Sequence, residues 1–232
     1  MLVTPIAHIE NDFPEKFGLP RQSGLSRHLI SKVVMEKPYR VPEAFRGLEG
    51  YSHLWLLWEF DPVSSDSAPE SFSPTVRPPK LGGNERRGVF ATRSPNRPNR
   101  IGLTLVRLIR IEEDEGLGTM LIVAGADMKS GTKILDIKPY VEYADYPGGE
   151  IRSGFAEKLA ERRLTVEFVC EMQAGLTEED VETLTEVLSL DPRPGYQHDS
   201  GRVYGMAYRD YQVKFTSDGE AIRVIAIEHE KK

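Results

Sequence analysis

Ile101-Gly-Leu-Thr-Leu-Val-Arg-Leu-Ile-Arg-Ile-Glu-Glu-Asp-Glu-Gly-Leu-Gly-Thr-Met-Leu-Ile-Val-Ala-Gly125 carries the clearest fold signal in this chain of 232 residues. Its two aliphatic runs, Ile101–Ile111 and Met120–Gly125, are separated by acidic residues and glycines, and a third run follows at Lys133–Ile137. Short apolar runs divided by turn residues are typical of strands, because the helices of a globular domain need longer patterns. This region therefore predicts consecutive β-strands.

The same pattern extends toward the N-terminus. Leu2–Glu10 alternates like an edge strand, Tyr51–Phe60 is typical of a buried strand rich in Leu and Trp, and Gly88–Thr92 predicts a further short strand. A doubly wound α/β fold would need helices of about ten or more residues between the strands, and this pattern is missing from the sequence here. We expect this part of the chain to be mainly β, as a barrel or a sandwich.

The composition changes near Tyr146-Pro-Gly-Gly-Glu150, which predicts one domain over residues 1–148 and a second over residues 149–232. In the second domain, Leu164–Met172 alternates as a strand, and a helix is expected from an N-cap at Thr177 to about Leu190. Three alternating runs close the chain: Arg202–Tyr208, Tyr211–Phe215 and Ala221–Ile227. We expect a small α+β domain that depends on the first domain or on a second subunit for stability.

The composition argues against several classes of protein. No run approaches the roughly eighteen apolar residues of a membrane helix, and the first ten residues lack the features of a signal peptide. Cys170 is the only cysteine, so neither an intrachain disulfide nor a cysteine-based zinc site is expected, and the five histidines have no metal-ligand spacing. We therefore expect a cytoplasmic protein with no membrane segment and no metal.

Charge is distributed unevenly along the chain. The segment from Arg77 to Arg110 holds nine Lys and Arg residues against one acidic residue, Glu85, which is a net charge of +8. Because the whole chain carries −6, the remainder carries −14. Such asymmetry indicates either a surface for a polyanion or anionic ligand, or a solvated basic loop balanced by acidic neighbours in the fold.

Three loops framed by proline and glycine present charged side chains. The longest, Val76–Gly102, alternates arginines with Ser, Thr and Asn, which suits carboxylates, phosphates or ribose hydroxyls. The alternative is that these arginines satisfy loop carbonyls. Lys16–Gly24 presents Arg21 and Gln22, and Asp191–Tyr196 is the third loop.

The turn Asp191-Pro-Arg-Pro-Gly-Tyr196 is stiffened by two prolines and is expected to display Asp191, Arg193 and Tyr196. One hypothesis is that this turn completes a substrate site. The alternative is that Arg193 caps the free carbonyls of the preceding helix.

Six motifs together resemble the TsaA-like (YaeB/TrmO) family, in family order and over residues 4–228: Pro20-Arg-Gln-Ser-Gly-Leu25, Arg46-Gly-Leu-Glu-Gly-Tyr-Ser-His-Leu-Trp55, Val76-Arg-Pro-Pro-Lys-Leu-Gly-Gly-Asn84, Gly88-Val-Phe-Ala-Thr-Arg-Ser-Pro95, Asp136-Ile-Lys-Pro-Tyr140 and Asp191-Pro-Arg-Pro-Gly-Tyr196. The resemblance implies a single-sheet β-barrel that binds S-adenosylmethionine (SAM), often as a homodimer, followed by a smaller C-terminal domain. It also implies an enzyme that methylates N6 of threonylcarbamoyl-adenosine, immediately 3′ of the anticodon in threonine tRNAs.

Carried over by position, the resemblance implies a cofactor site built from eleven residues: Pro20, Arg21, Gln22, Phe60, Asp61, Arg93, Leu103, Ala124, Gly125, Ala126 and Asp127. Either Arg21 or Arg93 can hold the methionine carboxylate with its guanidinium fork, and Asp127 suits the amino group or the ribose hydroxyls. The loop departs from the family pattern at Asn96 and Arg100, where an aromatic residue and a proline often occur.

The implied reaction is an in-line methyl transfer in which the accepting nitrogen loses a proton. Asp136 and Asp191 are the candidate proton acceptors, and Tyr196 is a further candidate in the catalytic site. The tRNA anticodon loop is expected to contact a basic and aromatic set: Arg77, Arg97, Arg100, Lys138, Tyr140 and Arg193. On this hypothesis the C-terminal domain completes the RNA site and contributes little to SAM binding.

Two other functions stay open from the sequence. One is a SAM-dependent methyltransferase that acts on another substrate. The second is a non-catalytic SAM- or RNA-binding β-barrel module.

Overall fold

The structure is a computed structural model that describes residues 2–61, 73–79, 85–158, 163–171, 175–195, 197 and 199–229. Most of its regular structure is short strands: β1 Ala7–Glu10, β2 Ile30–Met35, β3 His53–Glu59, β4 Thr75–Val76, β5 Arg87–Gly88, β6 Ile101–Asp114, β7 Gly118–Ala124, β8 Lys133–Pro139, β9 Thr165–Phe168, β10 Tyr204–Tyr208, β11 Tyr211–Ser217 and β12 Ala221–His229. The α-helices of the described residues are α1 Glu142–Asp145 and α2 Glu178–Ser189. The prediction of a mainly β chain is confirmed.

Six antiparallel strands pair in the order β1–β2–β7–β6–β3–β8 and return to β1, which closes the sheet on itself. Alternation on β3 shows how the sequence sets the inside of this barrel: Leu54, Leu56 and Trp58 are buried, while their neighbours are partly exposed. Because side chains of a strand point to opposite faces in turn, this pattern gives each strand one apolar face for the interior. The basic loop Val76–Gly102 leaves the barrel after β3 and re-enters it at β6.

The structure departs from the sequence prediction in two places. Of the predicted strand Gly88–Thr92, only Gly88 lies in a strand, at the end of β5; Val89–Ala91 forms a 3-10 turn, in which the carbonyl of Val89 accepts from the N–H of Thr92 at 3.1 Å. Pro95 follows four residues after the turn, and a proline has no N–H to donate to a partner strand. The strand β2 was not predicted, because Ser31 faces the interior and hides the apolar alternation.

The C-terminal part forms a second sheet in the order β10–β11–β12–β9, with α2 packed near β9. The predicted N-cap of α2 is confirmed: Thr177 accepts from the N–H of Asp180, and Asp180 accepts from the N–H of Thr177 in return. This capping box satisfies two of the N–H groups that a helix start leaves open. Leu184 and Leu188 of α2 are fully buried in the second core.

The second core is completed by residues from the N-terminal part of the chain. Phe13, Leu19 and Leu29, which lie between β1 and β2, are buried in the same cluster as the side chains of β10–β12. The ring of Phe13 meets that of Tyr208 edge-on at 5.3 Å between centroids. The segment between β1 and β2 therefore leaves the barrel, packs under the second sheet and returns to the barrel.

An ionic network fixes this junction. Arg209 donates to the buried carboxylate of Asp180 at 2.8 Å and to Asp12 at 3.0 Å, so it joins α2 to the residues after β1. Tyr208 also donates its hydroxyl to Asp180, at 2.7 Å. Burial alone would raise the pKa of Asp180, but the hydrogen bonds from Thr177 and Tyr208 and the charge of Arg209 hold this pKa below its ordinary value.

Replacing Asp180 by Asn should lower the free energy of unfolding at pH 7 by about 2–3 kcal/mol, because several donors lose a buried charged acceptor. A carboxylate whose folded pKa is depressed stabilises the fold above its unfolded pKa of about 3.9, and this contribution is lost as the pH falls through the folded pKa. The difference between wild type and Asp180→Asn should therefore shrink below about pH 4.

Urea unfolding over a range of pH measures this difference. Asp210→Asn is the matched control, because Asp210 is an exposed carboxylate whose ion pair is with His229. The control should change stability by less than about 0.5 kcal/mol. An equal effect of the two substitutions would contradict the role given to Asp180.

Candidate functional site

A hollow of about 700 Å³ lies between one end of the barrel and the loop that precedes β2. Its walls come from separate parts of the chain: Lys16, Leu19, Pro20, Arg21, Gln22, Trp58, Glu59, Phe60, Asp61, Pro79, Thr92, Arg93, Pro95, Arg97, Ile101, Gly102, Leu103, Asp127, Met128, Lys129 and Thr132. We call it the first hollow. A volume of this size is in the range of cofactor sites.

Eight of the eleven residues predicted for the cofactor line the first hollow: Pro20, Arg21, Gln22, Phe60, Asp61, Arg93, Leu103 and Asp127. The remaining three lie elsewhere. Ala124 and Gly125 line a neighbouring concavity, and Ala126 is fully buried in the barrel core. The structure thus brings most of the predicted set together from five separate stretches of the chain.

A short hydrogen-bond relay holds Asp127 in place. The indole Nε1–H of Trp58 donates to Oγ1 of Thr104 at 2.8 Å, and this hydroxyl donates to Oδ1 of Asp127 at 2.6 Å. Gly102 makes room for the indole, since a Cβ there would lie 2.2 Å from the ring. Burial raises the pKa of Asp127, against the hydrogen bond from Thr104. Sequence reasoning missed Trp58 and Thr104, because the relay joins residues of β3, β6 and the loop after β7.

The polar walls of the first hollow carry both signs of charge. Nη1 of Arg93 donates to Oε1 of Gln22 at 2.6 Å. Lys16 and Lys129 pair with Asp61 at 3.2 and 3.1 Å. Burial would raise the pKa of Asp61, but the hydrogen bonds from Lys129 and Lys16 lower it below its ordinary value. A ligand with a carboxylate and a positive group would find partners for both here.

Arg21 reaches from the first hollow to the C-terminal part of the chain. Its Nη2 donates to the carbonyl oxygens of Pro192 and Arg193. Burial lowers the pKa of the Arg21 guanidinium, and the charge of Asp191 acts against this shift. The turn that begins at Asp191 therefore orients a residue of the first hollow.

Arg193 is buried and paired within the protein instead of being displayed toward solvent, and its contact with tRNA stays a prediction. Its side chain is only 6% exposed, and it donates to both oxygens of the Asp191 carboxylate at 2.7 and 2.9 Å. Its Nη1 donates to the carbonyl of Ser217 at the end of β11, which is not a carbonyl of the preceding helix. The left-handed backbone of Asp191, with φ of 50°, turns the chain so that the two side chains meet.

The other predicted substrate residues are spread over the surface. Asp136 and Lys138 lie on the outer face of β8 and pair with each other at 3.0 Å, and Tyr140 follows them beside His53. Arg97 lines the first hollow, but its guanidinium donates to the carbonyls of Val89 and Thr92, as the loop-carbonyl alternative predicts. Further positions in the predicted set are the exposed Arg77, the half-buried Arg100 and Tyr196, which lies outside the described residues.

A second hollow of about 580 Å³ adjoins the first. It is lined by Ser23, Gly24, Ser26, Arg27, His53, Leu105, Arg107, Ala124 and Gly125. The two hollows share the loop that contains Arg21, and they occupy successive outward positions of β6, with Leu103 in the first and Leu105 in the second.

Over the described ranges, the helices fall short of the length and apolarity that a bilayer crossing requires. Within the same ranges, the acidic, histidine and cysteine side chains form no group of three or more placed to hold a metal ion.

Comparison with known proteins agrees with this geometry. The model of the tRNA-methyltransferase O N-terminal domain matches residues 8–146, and that of the TrmO C-terminal domain matches residues 161–230. The chain is 36% identical over 231 residues to the tRNA (adenine(37)-N6)-methyltransferase of Escherichia coli, with 96% of each chain covered. It is 38% identical over 219 residues to a putative S-adenosylmethionine-dependent methyltransferase, RcsF, of Pseudomonas aeruginosa, which covers 91% of this chain and 90% of that protein.

A solved structure shows the same fold. The crystal structure of TrmO from Pseudomonas aeruginosa superposes with a TM-score of 0.75 at 33% identity and covers 99% of this chain and 97% of that one. Similarity thus extends over both sheets and the segment between them. The chain belongs to the tRNA-methyltransferase O family.

Proposed function

We propose that the chain is a SAM-dependent tRNA methyltransferase that methylates N6 of adenosine 37, the modified adenosine beside the anticodon in threonine tRNAs. One observation carries the proposal: eight residues that the family resemblance assigns to SAM by position line one hollow of suitable volume. The relatives named tRNA (adenine(37)-N6)-methyltransferase supply the substrate class. The barrel is the SAM-binding domain of this proposal, and the boundary between the two domains lies near residue 148.

The residues of the first hollow fit the charged ends of SAM. Asp127 presents a partly buried carboxylate that accepts a positive amino group or ribose hydroxyls, and Arg93 presents a guanidinium for the methionine carboxylate. Such fixed partners are worth more in a site that excludes water than on an open surface. The cofactor itself supplies a methyl group on a positively charged sulfur.

Orientation is the main contribution expected from the protein. The relay from Trp58 fixes Asp127, and the C-terminal turn fixes Arg21, so both ends of the site are rigid before a ligand arrives. Of the two candidate proton acceptors, Asp191 is held by the buried Arg193, which leaves Asp136 as the proposed acceptor. Leu57 of β3 pairs with Leu103 of β6 on one side and with Asp136 of β8 on the other. Asp136 is therefore two strand spacings, about 10 Å, from Leu103 of the first hollow.

In a homodimer, Asp136 on the outer face of one subunit would lie closer to the first hollow of the other subunit. The outer face of β3 and β6 beside the first hollow supports this part of the proposal, since Leu103 is 55% exposed and its neighbour Leu57 is partly exposed. An apolar strip of this kind on a barrel surface is typical of a protein interface. Light scattering during gel filtration measures the mass that decides between monomer and dimer.

Substituting Arg93 by Ala should weaken SAM binding at least tenfold, which is about 1.4 kcal/mol, because the cofactor loses its carboxylate partner. The fold should survive, since Arg93 is exposed and its hydrogen bond is to the side chain of Gln22. Isothermal titration measures the affinity, with Arg152→Ala as a control arginine outside both hollows. Wild-type affinity in Arg93→Ala would remove this residue from the cofactor site.

Arg193→Ala should lower both SAM affinity and stability, which reverses the expectation from sequence that the turn contributes little to SAM. The substitution leaves the Asp191 carboxylate without its buried partner, at a cost of about 2–4 kcal/mol. Because Arg193 holds the turn in shape, the two turn carbonyls that accept from Arg21 also lose their fixed position. Titration well below the melting temperature separates the two effects.

Val213→Ala is the matched control for Arg193→Ala. Val213 is fully buried in the second core, so its truncation destabilises the same sheet without touching the turn. SAM affinity should stay at the wild-type value in this control. If both variants bind SAM equally well, the turn does not act on the cofactor site.

Methyl transfer itself is tested by mass spectrometry of nucleosides from threonine tRNA, in cells with and without the gene. The expected difference is one methyl group, 14 Da, on the modified adenosine, restored by the purified protein with SAM. Methyl transfer to a different nucleoside or molecule would support the alternative, a SAM-dependent methyltransferase that acts on another substrate. Binding of SAM without any methyl turnover would support the non-catalytic module.

A further inference from the structure

The arginines of the basic segment Arg77–Arg110 are largely occupied by contacts within the protein. Their partners are side chains and carbonyls of the same loop or its neighbours: Arg86 with Thr75, Arg87 with Glu85, Arg93 with Gln22, Arg97 with Val89 and Thr92, and Arg110 with Glu112. A guanidinium that already donates to protein groups has fewer N–H donors available for a phosphate than an unpaired one. The net charge of this segment therefore does not locate the RNA contact.

Arg27 and Arg107 behave differently. Both side chains are exposed, and neither has a hydrogen bond or ion pair to a described residue. They are 80 positions apart in the sequence, yet both line the second hollow, because the loop before β2 folds over the outer face of β6. Two unpaired guanidinium groups at one concavity raise the local positive potential.

The remaining lining of the second hollow suits a nucleotide. Gly24 donates its N–H to the carbonyl of Gly125 at 3.1 Å, and the φ of 86° at Gly125 lets the two backbones meet, which leaves a wall without side chains. At the rim, the ring of His53 lies edge-on to Tyr140, 6.3 Å between centroids. Aromatic rims of this kind accept unstacked RNA bases.

Acidic groups near the second hollow are already engaged. Glu186 accepts from the hydroxyl of Ser26 at 2.7 Å and from the N–H of His28 at 2.9 Å. Glu182 pairs with the ring of His28 at 3.2 Å. These carboxylates are held on the helix side of the loop, so Arg27 keeps its charge available for a ligand.

We propose that the second hollow binds backbone phosphates of the tRNA next to the target nucleoside, with Arg27 and Arg107 as the phosphate contacts. The inference rests on the proposed function and locates its RNA site. Leu103 of the first hollow and Arg107 of the second are four residues apart on β6, about 13 Å along the strand. An RNA strand held by the second hollow therefore passes beside the first, where the methyl donor is proposed to bind. Phosphate contacts fix the position of the RNA without reading its sequence.

The double variant Arg27→Gln, Arg107→Gln tests this assignment against the control Arg46→Gln, Arg152→Gln. The control removes the same two positive charges from exposed positions outside both hollows. Filter binding with a threonine tRNA transcript whose target adenosine carries the threonylcarbamoyl group but no methyl group, repeated from 50 to 300 mM salt, measures RNA affinity. Isothermal titration of each protein with SAM measures the cofactor site separately.

The double variant should bind the transcript at least tenfold more weakly at 0.1 M salt, and its salt slope should fall by about 1.5, since each lost phosphate contact removes roughly 0.7–0.9. Its SAM affinity should match the wild type within twofold. The control pair should keep nearly the full RNA affinity.

Three results would overturn the assignment. Unchanged RNA affinity in the Arg27→Gln, Arg107→Gln variant would show that the second hollow makes no phosphate contact. An equal loss of RNA affinity in the control pair would show that the effect comes from the overall charge of the protein. Loss of SAM affinity would give the second hollow to the cofactor. A wild type that neither binds nor methylates the transcript would refute the proposed function as well, which distinguishes that failure from the other three.

Discussion

Burial of Phe13, Leu19 and Leu29 under the second sheet is the contact on which the functional surface depends. These side chains lie between β1 and β2, so the chain must leave the barrel, enter the second core and return. The loop from 20 to 27 is thereby held at both ends while it crosses the outer face of the barrel. Without the second core this loop would have no apolar anchor, and both hollows would lose a wall.

The first hollow combines groups that would be costly to bury alone. The carboxylate of Asp127 is held by the hydroxyl of Thr104, which the indole of Trp58 holds in turn. Arg21 is matched on the opposite side by two carbonyls of the Asp191 turn. The barrel supplies one set of supports and the C-terminal sheet supplies the second, so the site is a property of both parts of the chain.

Much of this architecture could be read from the sequence. Alternation placed most of the strands, and Thr177 with Asp180 placed the start of α2, because these signals are local. Positions carried over from the family resemblance, in five stretches of the chain, predicted a common site, and eight of these residues share one hollow. Local pattern could not show that Arg193 is buried, since a left-handed Asp191 turns it inward. Nor could spacing place Arg27 and Arg107 at one hollow, because that placement depends on how the loop before β2 crosses β6.

The two tryptophans of the chain, Trp55 and Trp58, both lie on β3 and face opposite sides of the sheet. The indole of Trp58 forms part of the wall of the first hollow, while that of Trp55 lies outside the barrel near Tyr140, at the rim of the second. Intrinsic fluorescence therefore has one emitter beside each hollow. With one indole replaced by phenylalanine at a time, the arrival of a small molecule and of a nucleic acid can be followed as separate optical signals in the same protein.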